Sequence, residues 1–189
     1  MKPGVRALGI AESYREESST LAGVVCRVSR VVDGFVFGSC TVGGTDATAA
    51  IVELFDRLDR EDVRYVMLAG IAPAWYNVVD LAAVQNAADR PVLSVSFEES
   101  EGLADAIESE FDGEAAEHRL ATYRELPERA PVTVDEETLY VRSVGIGDEE
   151  AAEVVRAFTP EGGRPEPLRV ARQAARAGDE FRRERPGDL

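Results

Sequence analysis

Lysine is almost missing from this chain: of 189 residues only Lys2 is one, and every other strongly basic side chain is arginine. Histidine is as scarce. The single His118 lies in a stretch without clear periodicity, which leaves no Ser-His-Asp or Cys-His set to assemble, and it is expected at the surface. The two cysteines, Cys26 and Cys40, stand in β-type sequence without metal-ligand spacing. They are expected as reduced, buried small hydrophobes, although a hairpin turn centred near Asp33-Gly34 would set them across from one another. Gly43-Gly44 lacks the lysine of a phosphate-binding loop and reads as a strand break. No apolar run approaches the roughly 20 residues that span a bilayer, and no basic-then-apolar leader opens the sequence. A cytoplasmic protein without membrane association is expected. Neither internal repeats nor low-complexity linkers interrupt it, so residues 1–189 are expected to form one domain, with 182–189 as a frayed tail.

What the chain has in excess is negative charge: 36 acidic against 21 basic residues, a net charge of −15 and a pI near 4.5. Many carboxylates with almost no lysine resemble the proteins of salt-loving archaea. An acidic surface repels polyanions in dilute buffer, but at 1 M salt the Debye length is only about 3 Å. Charge therefore disfavours nucleic acid without deciding the partner, and an oligomer is equally open.

The hydrophobic fraction of 44% supplies a full core. Val5–Ala11 reads as a first strand, Ser13–Thr20 as a polar loop, and Leu21–Val28 with Val31–Val42 as two antiparallel strands. Their turn falls at Ser29-Arg30 or at Asp33-Gly34, the second being the stronger hairpin signal. Ile51, Leu54, Phe55 and Leu58 at i, i+3, i+4 and i+7 predict a helix from Thr45 to Arg60. Further along come a strand at Val66–Leu68, a helix from Asn77 to Ala88, a strand at Val92–Phe97 and a helix from Ser100 to Phe111 that Gly113 stops. Residues 114–131 are the least legible; His118–Leu126 could be strand or helix, with strand favoured. Leu139–Val144 reads as a strand, Asp148–Phe158 as a helix, and a last helix opens at Pro165 and runs to Phe181. Antiparallel strands followed by strand–helix alternation predict an α/β fold, a mixed central sheet flanked by helices, in the order of a ribonuclease H-like domain.

The chain is organised around Tyr65–Asp80. Val66-Met67-Leu68 is a buried-strand run, Ala69-Gly70 ends it, and Pro73 keeps a helix from starting at once. Trp75 and Tyr76 follow in the loop. Ligand sites in open α/β sheets lie beyond the carboxyl ends of the strands, so this stretch is expected to form one wall of a site.

Four motifs carry a family resemblance: Val5-Arg6-Ala7-Leu8-Gly9-Ile10; Gly44-Thr45-Asp46-Ala47-Thr48; Leu68-Ala69-Gly70-Ile71 with Tyr76-Asn77-Val78-Val79-Asp80; and Pro165-Glu166-Pro167-Leu168-Arg169-Val170-Ala171. In this order and spacing the chain resembles the archaeal domain of unknown function 99 family, which is similar to endonuclease V. The resemblance implies a ribonuclease H-like fold and, for endonuclease V itself, metal-dependent cleavage beside deaminated purines, with carboxylates holding Mg²⁺. The pattern is altered here. Gly-Ile-Asp-Asp has become Gly9-Ile10-Ala11-Glu12, Leu-Asp-Gly-Ile has become Leu68-Ala69-Gly70-Ile71, and Arg172 stands where relatives carry histidine. The Pro-Tyr-Ile-Pro wedge of endonuclease V is missing from the sequence. A methyl group cannot ligate Mg²⁺, so Ala11 and Ala69 imply a lost nuclease centre and a binding or regulatory module that needs no cofactor. Its expected ligand-binding residues are Trp75, Tyr76, Asn77, Asp46 and Arg169. The alternative is a Mg²⁺- or Mn²⁺-dependent nuclease with a rearranged site of Glu12, Asp46 and Asp80. Each residue also has a plainer reading. Asp46 would offset the dipole of a helix, Asn77 and Asp80 would be a capping pair, Arg169 would pair with Glu166, and the aromatics would cover the core.

Overall fold

A computed structural model describes residues 1–100 and 102–184. The chain opens with an antiparallel meander, β1 (Arg6–Tyr14), β2 (Ser18–Arg27) and β3 (Val32–Thr41). α1 (Ala47–Leu58) leads to β4 (Val63–Ala69), the short turn α2 (Pro73–Tyr76), α3 (Leu81–Ala88) and β5 (Val92–Ser96). A helical hairpin, α4 (Ala104–Glu110) and α5 (Gly113–Arg124), precedes the strand pair β6 (Ala130–Val134) and β7 (Glu137–Val144). α6 (Asp148–Ala157) and α7 (Glu166–Glu184) complete the described chain. The seven strands form one sheet in the order β3-β2-β1-β4-β5-β7-β6. β1, β4 and β5 run parallel at its centre and the outer pairs are antiparallel. This is the mixed, helix-flanked α/β sheet expected from the sequence.

The strand alternation divides the core. Leu8, Ile10, Val66 and Leu68 face α1 and α3, where Ile51, Leu54, Leu81 and Val84 are buried. Ala7, Met67, Leu93 and Val95 face the other way, onto Val154 and Val155 of α6, Phe158 at its C-cap and Leu168 of α7. Each such large aliphatic or aromatic side chain contributes about 1.5–3 kcal/mol on full burial.

α7 lies unusually close to β1. A methyl group added at Gly9 would fall 2.5 Å from both the Cβ and the carbonyl oxygen of Pro167. Ala11 packs on Ala171, with Ala69 at the edge of the same cluster. Two of the sequence motifs are thus one contact.

Several boundaries differ from expectation. The first strand extends to Tyr14 and the second starts at Ser18, leaving a short hairpin where a long polar loop was expected. The β2–β3 turn falls at Ser29-Arg30, with Arg30 left-handed (φ 66°) and Arg27 N–H donating to the Val31 carbonyl at 2.9 Å. Asp33-Gly34 lies inside β3 instead, because Arg27 of the neighbouring β2 and Arg6 of β1 beyond it both hold the Asp33 carboxylate at 2.6 Å. This register pairs Cys26 with Val32 and Cys40 with Ser19, so the thiols are free, buried and not opposed. Burial pushes both thiols up to about 12. The helix expected from Asn77 begins only at Leu81. Residues 118–126, favoured as a strand, lie mostly in α5, whose alanine-rich sequence has high helix propensity and buries Ala116, Arg119 and Leu120 on one face. Gly113 opens α5 in a left-handed conformation (φ 55°), while the preceding helix, expected from Ser100, spans Ala104–Glu110. β6 was not anticipated. α7 continues through Glu184, three residues into the expected frayed tail, and the rest of that tail lies outside the described residues.

The Arg27 guanidinium, helped by Arg6 and opposed by desolvation, holds the Asp33 carboxyl down to about 2. A carboxyl harder to protonate when folded stabilises the fold above its unfolded value, about 3.9, and gives that stability up as pH falls. Melting temperature is therefore expected to drop between about pH 4 and pH 2, and less steeply in Asp33→Asn. Equal acid slopes in the two proteins would exclude this group as the cause.

Candidate functional site

A crevice of about 400 Å³ opens beyond the carboxyl ends of β1, β4 and β5. Glu12 and Tyr14 come from the end of β1, Trp75 and Tyr76 from the turn after β4, and Ser94 and Ser96 from β5. The α4–α5 hairpin and β7 close it with Tyr123, Tyr140 and Arg142, and Glu98 and Arg129 complete the polar lining.

The aromatic wall is built on strained backbone. Ala74, Trp75 and Tyr76 are three successive non-glycine residues with positive φ (49°, 60° and 55°). Left-handed backbone costs L-residues roughly 1–2 kcal/mol each, so the surroundings must impose it. They do so from four directions. Ala74 N–H donates to Glu12 Oε2 at 3.0 Å, and the Ala74 carbonyl accepts from Gly43 N–H at 2.7 Å. Asn77 N–H donates to the Pro73 carbonyl at 3.1 Å, and Arg119 Nε donates to the Tyr76 carbonyl at 3.1 Å. Trp75 is left 46% exposed, edge-on to Tyr76, and Tyr76 in turn packs edge-on to Phe111. The Trp75 ring therefore stands at the mouth of the crevice and is not folded onto the core.

Arg119 is the buried pin of this wall. Only 4% exposed, it stacks 3.8 Å above the Phe111 ring and donates to the carbonyls of Ala115 (2.8 Å), Gly44 (3.0 Å), Gly43 and Tyr76. It has no acidic partner among the described residues, and desolvation draws its guanidinium below the ordinary value.

Of the residues singled out in the sequence, Glu12, Trp75 and Tyr76 meet in the crevice. The others are engaged elsewhere. Asn77, fully buried, accepts from Ala47 N–H at 2.9 Å and so serves the start of α1 rather than of α3. Its amide donates to the Thr41 carbonyl at 2.9 Å and to Asp46 at 2.7 Å. Asp46 turns back to Thr41, accepting from its N–H at 3.1 Å and its hydroxyl at 2.8 Å. Desolvation pushes Asp46 up, but the hydrogen bonds from Asn77 and Thr41 outweigh it and hold the carboxyl below its ordinary value. Asp80 caps α3 by accepting from Ala83 N–H at 2.9 Å. Arg169 forms a bidentate pair with Glu166, 2.6 Å for each bond, in the first turn of α7. His118 is exposed on α5.

The crevice residues missed in the sequence are Ser94, Ser96, Glu98, Tyr123, Arg129, Tyr140 and Arg142. Ser94 and Ser96 carried a usable signal, two hydroxyls on one face of an otherwise apolar strand. Of the rest, Tyr123 and Arg129 come from the stretch with the weakest periodicity, and Tyr140 and Arg142 from a strand whose neighbour in the sheet the sequence does not name.

The crevice offers a Mg²⁺ or Mn²⁺ ion few donors, with Glu12 and Glu98 as its carboxylates. Mg²⁺ keeps several waters and is bound through one or two carboxylates together with substrate phosphates. At the ends of β1 and β4, Ala11 and Ala69 present only methyl groups, which pack with α7 and cannot ligate a metal ion. Glu12 Oε2 is already the acceptor of the Ser19 hydroxyl and Ala74 N–H. Among the described residues, no group of three or more His, Cys, Asp or Glu side chains could hold a metal ion together. No helix among them is long and apolar enough to cross a membrane.

The sheet order and the helices on its two faces define a ribonuclease H-like α/β domain of the endonuclease V type. Endonuclease V from Ciona intestinalis, solved with a 24mer DNA containing an inosine followed by a ribo-adenosine, superposes with a TM-score of 0.63 at 14% identity, covering 93% of this chain and 86% of that one. A protein of unknown function from Archaeoglobus fulgidus is similar with a TM-score of 0.81 at 25% identity, covering 91% of this chain and 96% of that one. A UPF0215 protein of Thermococcus kodakarensis is 34% identical over 186 residues, 94% of this chain and 93% of the relative. Residues 3–178 match the model of the Endonuclease dU family, and the chain belongs to that family.

Proposed function

We propose that this chain is a binding module of the Endonuclease dU family that takes one planar base into the crevice and does not cut the strand through a metal centre. The observation that carries this is the Trp75–Tyr76 wall, held in a costly backbone conformation at the mouth of a base-sized crevice. Strain of this kind persists where a side chain must be presented in one orientation. The family description and the inosine in the Ciona complex make deoxyuridine and inosine the first nucleosides to test.

Trp75 is the only tryptophan, so its fluorescence reports the site directly. In strong salt, saturable quenching by one of these nucleosides is expected, and calorimetry should show the affinity weakened about tenfold or more in Trp75→Ala, since stacking is worth about 1–3 kcal/mol per base. An unperturbed Trp75 signal would sink the stacking idea.

One observation favours a second reading, a Mg²⁺- or Mn²⁺-dependent nuclease: Glu12 and Glu98 both line the crevice. Mn²⁺ titration by calorimetry, followed by incubation with uracil- or inosine-containing DNA and RNA, separates the two. Metal binding and cleavage that both disappear in Glu12→Gln would establish the nuclease.

A further inference from the structure

Arg142 stands at the β7 side of the crevice with an unusual deficit. Its Nε has neither a hydrogen-bond partner nor contact with solvent, and its Nη1 donates to a neutral acceptor, the Pro127 carbonyl. Eight other arginines pair with carboxylates, yet among the described residues neither Arg142 nor its neighbour Arg129 does. Both guanidiniums lie over tyrosine rings of the crevice, Arg142 over Tyr123 at 5.7 Å and Arg129 over Tyr140 at 5.1 Å. Arg129 is steadied by the carbonyls of Glu98 and Ser100.

A partly desolvated cation without a direct ion pair, its negative neighbour Glu128 acting only from a distance, is costly, and the more telling in a protein of net charge −15 that has carboxylates to spare. Desolvation draws the Arg142 guanidinium below its ordinary value, in keeping with that cost. The planar fork of arginine matches the oxygens of a phosphate group. We propose that Arg142, with Arg129 beside it, is an anion-receiving subsite that holds the phosphate of a nucleotide whose base lies against Trp75 and Tyr76. The nucleotide part of this statement rests on the base-binding reading above; the anion part rests on the arginines alone. Glu12 and Glu98 share the crevice and repel further negative charge, so one phosphate group is accommodated. The same chemistry serves a free mononucleotide and a phosphate within a strand.

The test compares deoxyuridine, its 5′- and 3′-monophosphates and a short uracil-containing single strand, in chloride salt, with the native protein and with Arg142→Gln and Arg129→Gln. One of the phosphorylated ligands is expected to bind the native protein at least tenfold tighter than the nucleoside, and that ratio should fall toward one in Arg142→Gln. A preference for the strand over both monophosphates identifies a strand phosphate as the source; the reverse identifies a free nucleotide. Equal binding of nucleoside and nucleotide by the native protein overturns the subsite, as does a ratio unchanged in both variants. If no nucleoside or nucleotide binds, the base-binding reading fails, and inorganic phosphate decides the anion part. A rise in melting temperature with phosphate that Arg142→Gln abolishes upholds it, and no rise overturns it. Arg142→Lys, which keeps the charge but loses the fork, is expected to retain only part of the preference.

Discussion

Gly9→Ala is expected to lower stability by about 3 kcal/mol or more, at the upper end of overpacking effects. For a chain of this size that is a fall of roughly 6–12 °C in melting temperature. The added methyl meets the backbone and ring of Pro167 rather than the tip of a flexible side chain. β1 is held between β2 and β4 inside the sheet and cannot retreat, so α7 has to lift. Lifting α7 also loosens the packing of its Ala171 on Ala11 and of its Leu168 in the cluster with Ala7 and Met67. A thermal melt followed by circular dichroism measures this. A change below about 2 °C would mean that α7 shifts at little cost and that the close contact does not limit stability.

Arg119→Met is the second large effect. It keeps much of the apolar stem but removes the donors to four carbonyl groups and the stacking on Phe111. A buried acceptor left without a donor costs about 1–3 kcal/mol, and relaxation of the left-handed turn returns part of that. A net loss of about 2–4 kcal/mol is expected. The more diagnostic change lies in the crevice. Once the Tyr76 carbonyl is released, Trp75 should shift its emission maximum and base binding should weaken about tenfold, even at temperatures where the variant is fully folded. Arg119→Lys should recover the charge without the fork and restore little of either. Lost stability with unchanged Trp75 emission would leave Arg119 as a fold residue with no part in positioning the wall.

Much of the fold was legible because its signals are local and periodic. Ile51, Leu54 and Leu58 mark α1 by spacing alone, and Val66-Met67-Leu68 marks a central strand by its unbroken apolar run. The errors arise where a side chain finds a distant partner. Asp33-Gly34 is a good turn pair, but arginines on β2 and β1 recruit the carboxylate into β3. Asn77 and Asp80 have the spacing of a capping pair. Asn77 nevertheless reaches Ala47, 30 positions back, and α3 is left to Asp80. The candidate site was legible in its aromatic wall and obscure in its polar one. Tyr140 and Arg142 acquire their place only when β7 joins the edge of β5, and a single stretch of sequence holds no trace of that pairing.

The tight seat of α7 on β1 joins the two ends of the described chain. The β1–β3 meander needs only neighbouring residues and can form early, because closing short loops costs little entropy. The opposite face of the same strands, with Gly9, Ala11, Val24 and Cys26, has to wait for α7, which is made long after them. During synthesis a half-made sheet therefore presents a bare strip of small apolar groups to its surroundings. Vectorial folding of this chain therefore includes the docking of α7, and until that step the nascent molecule is most exposed to self-association.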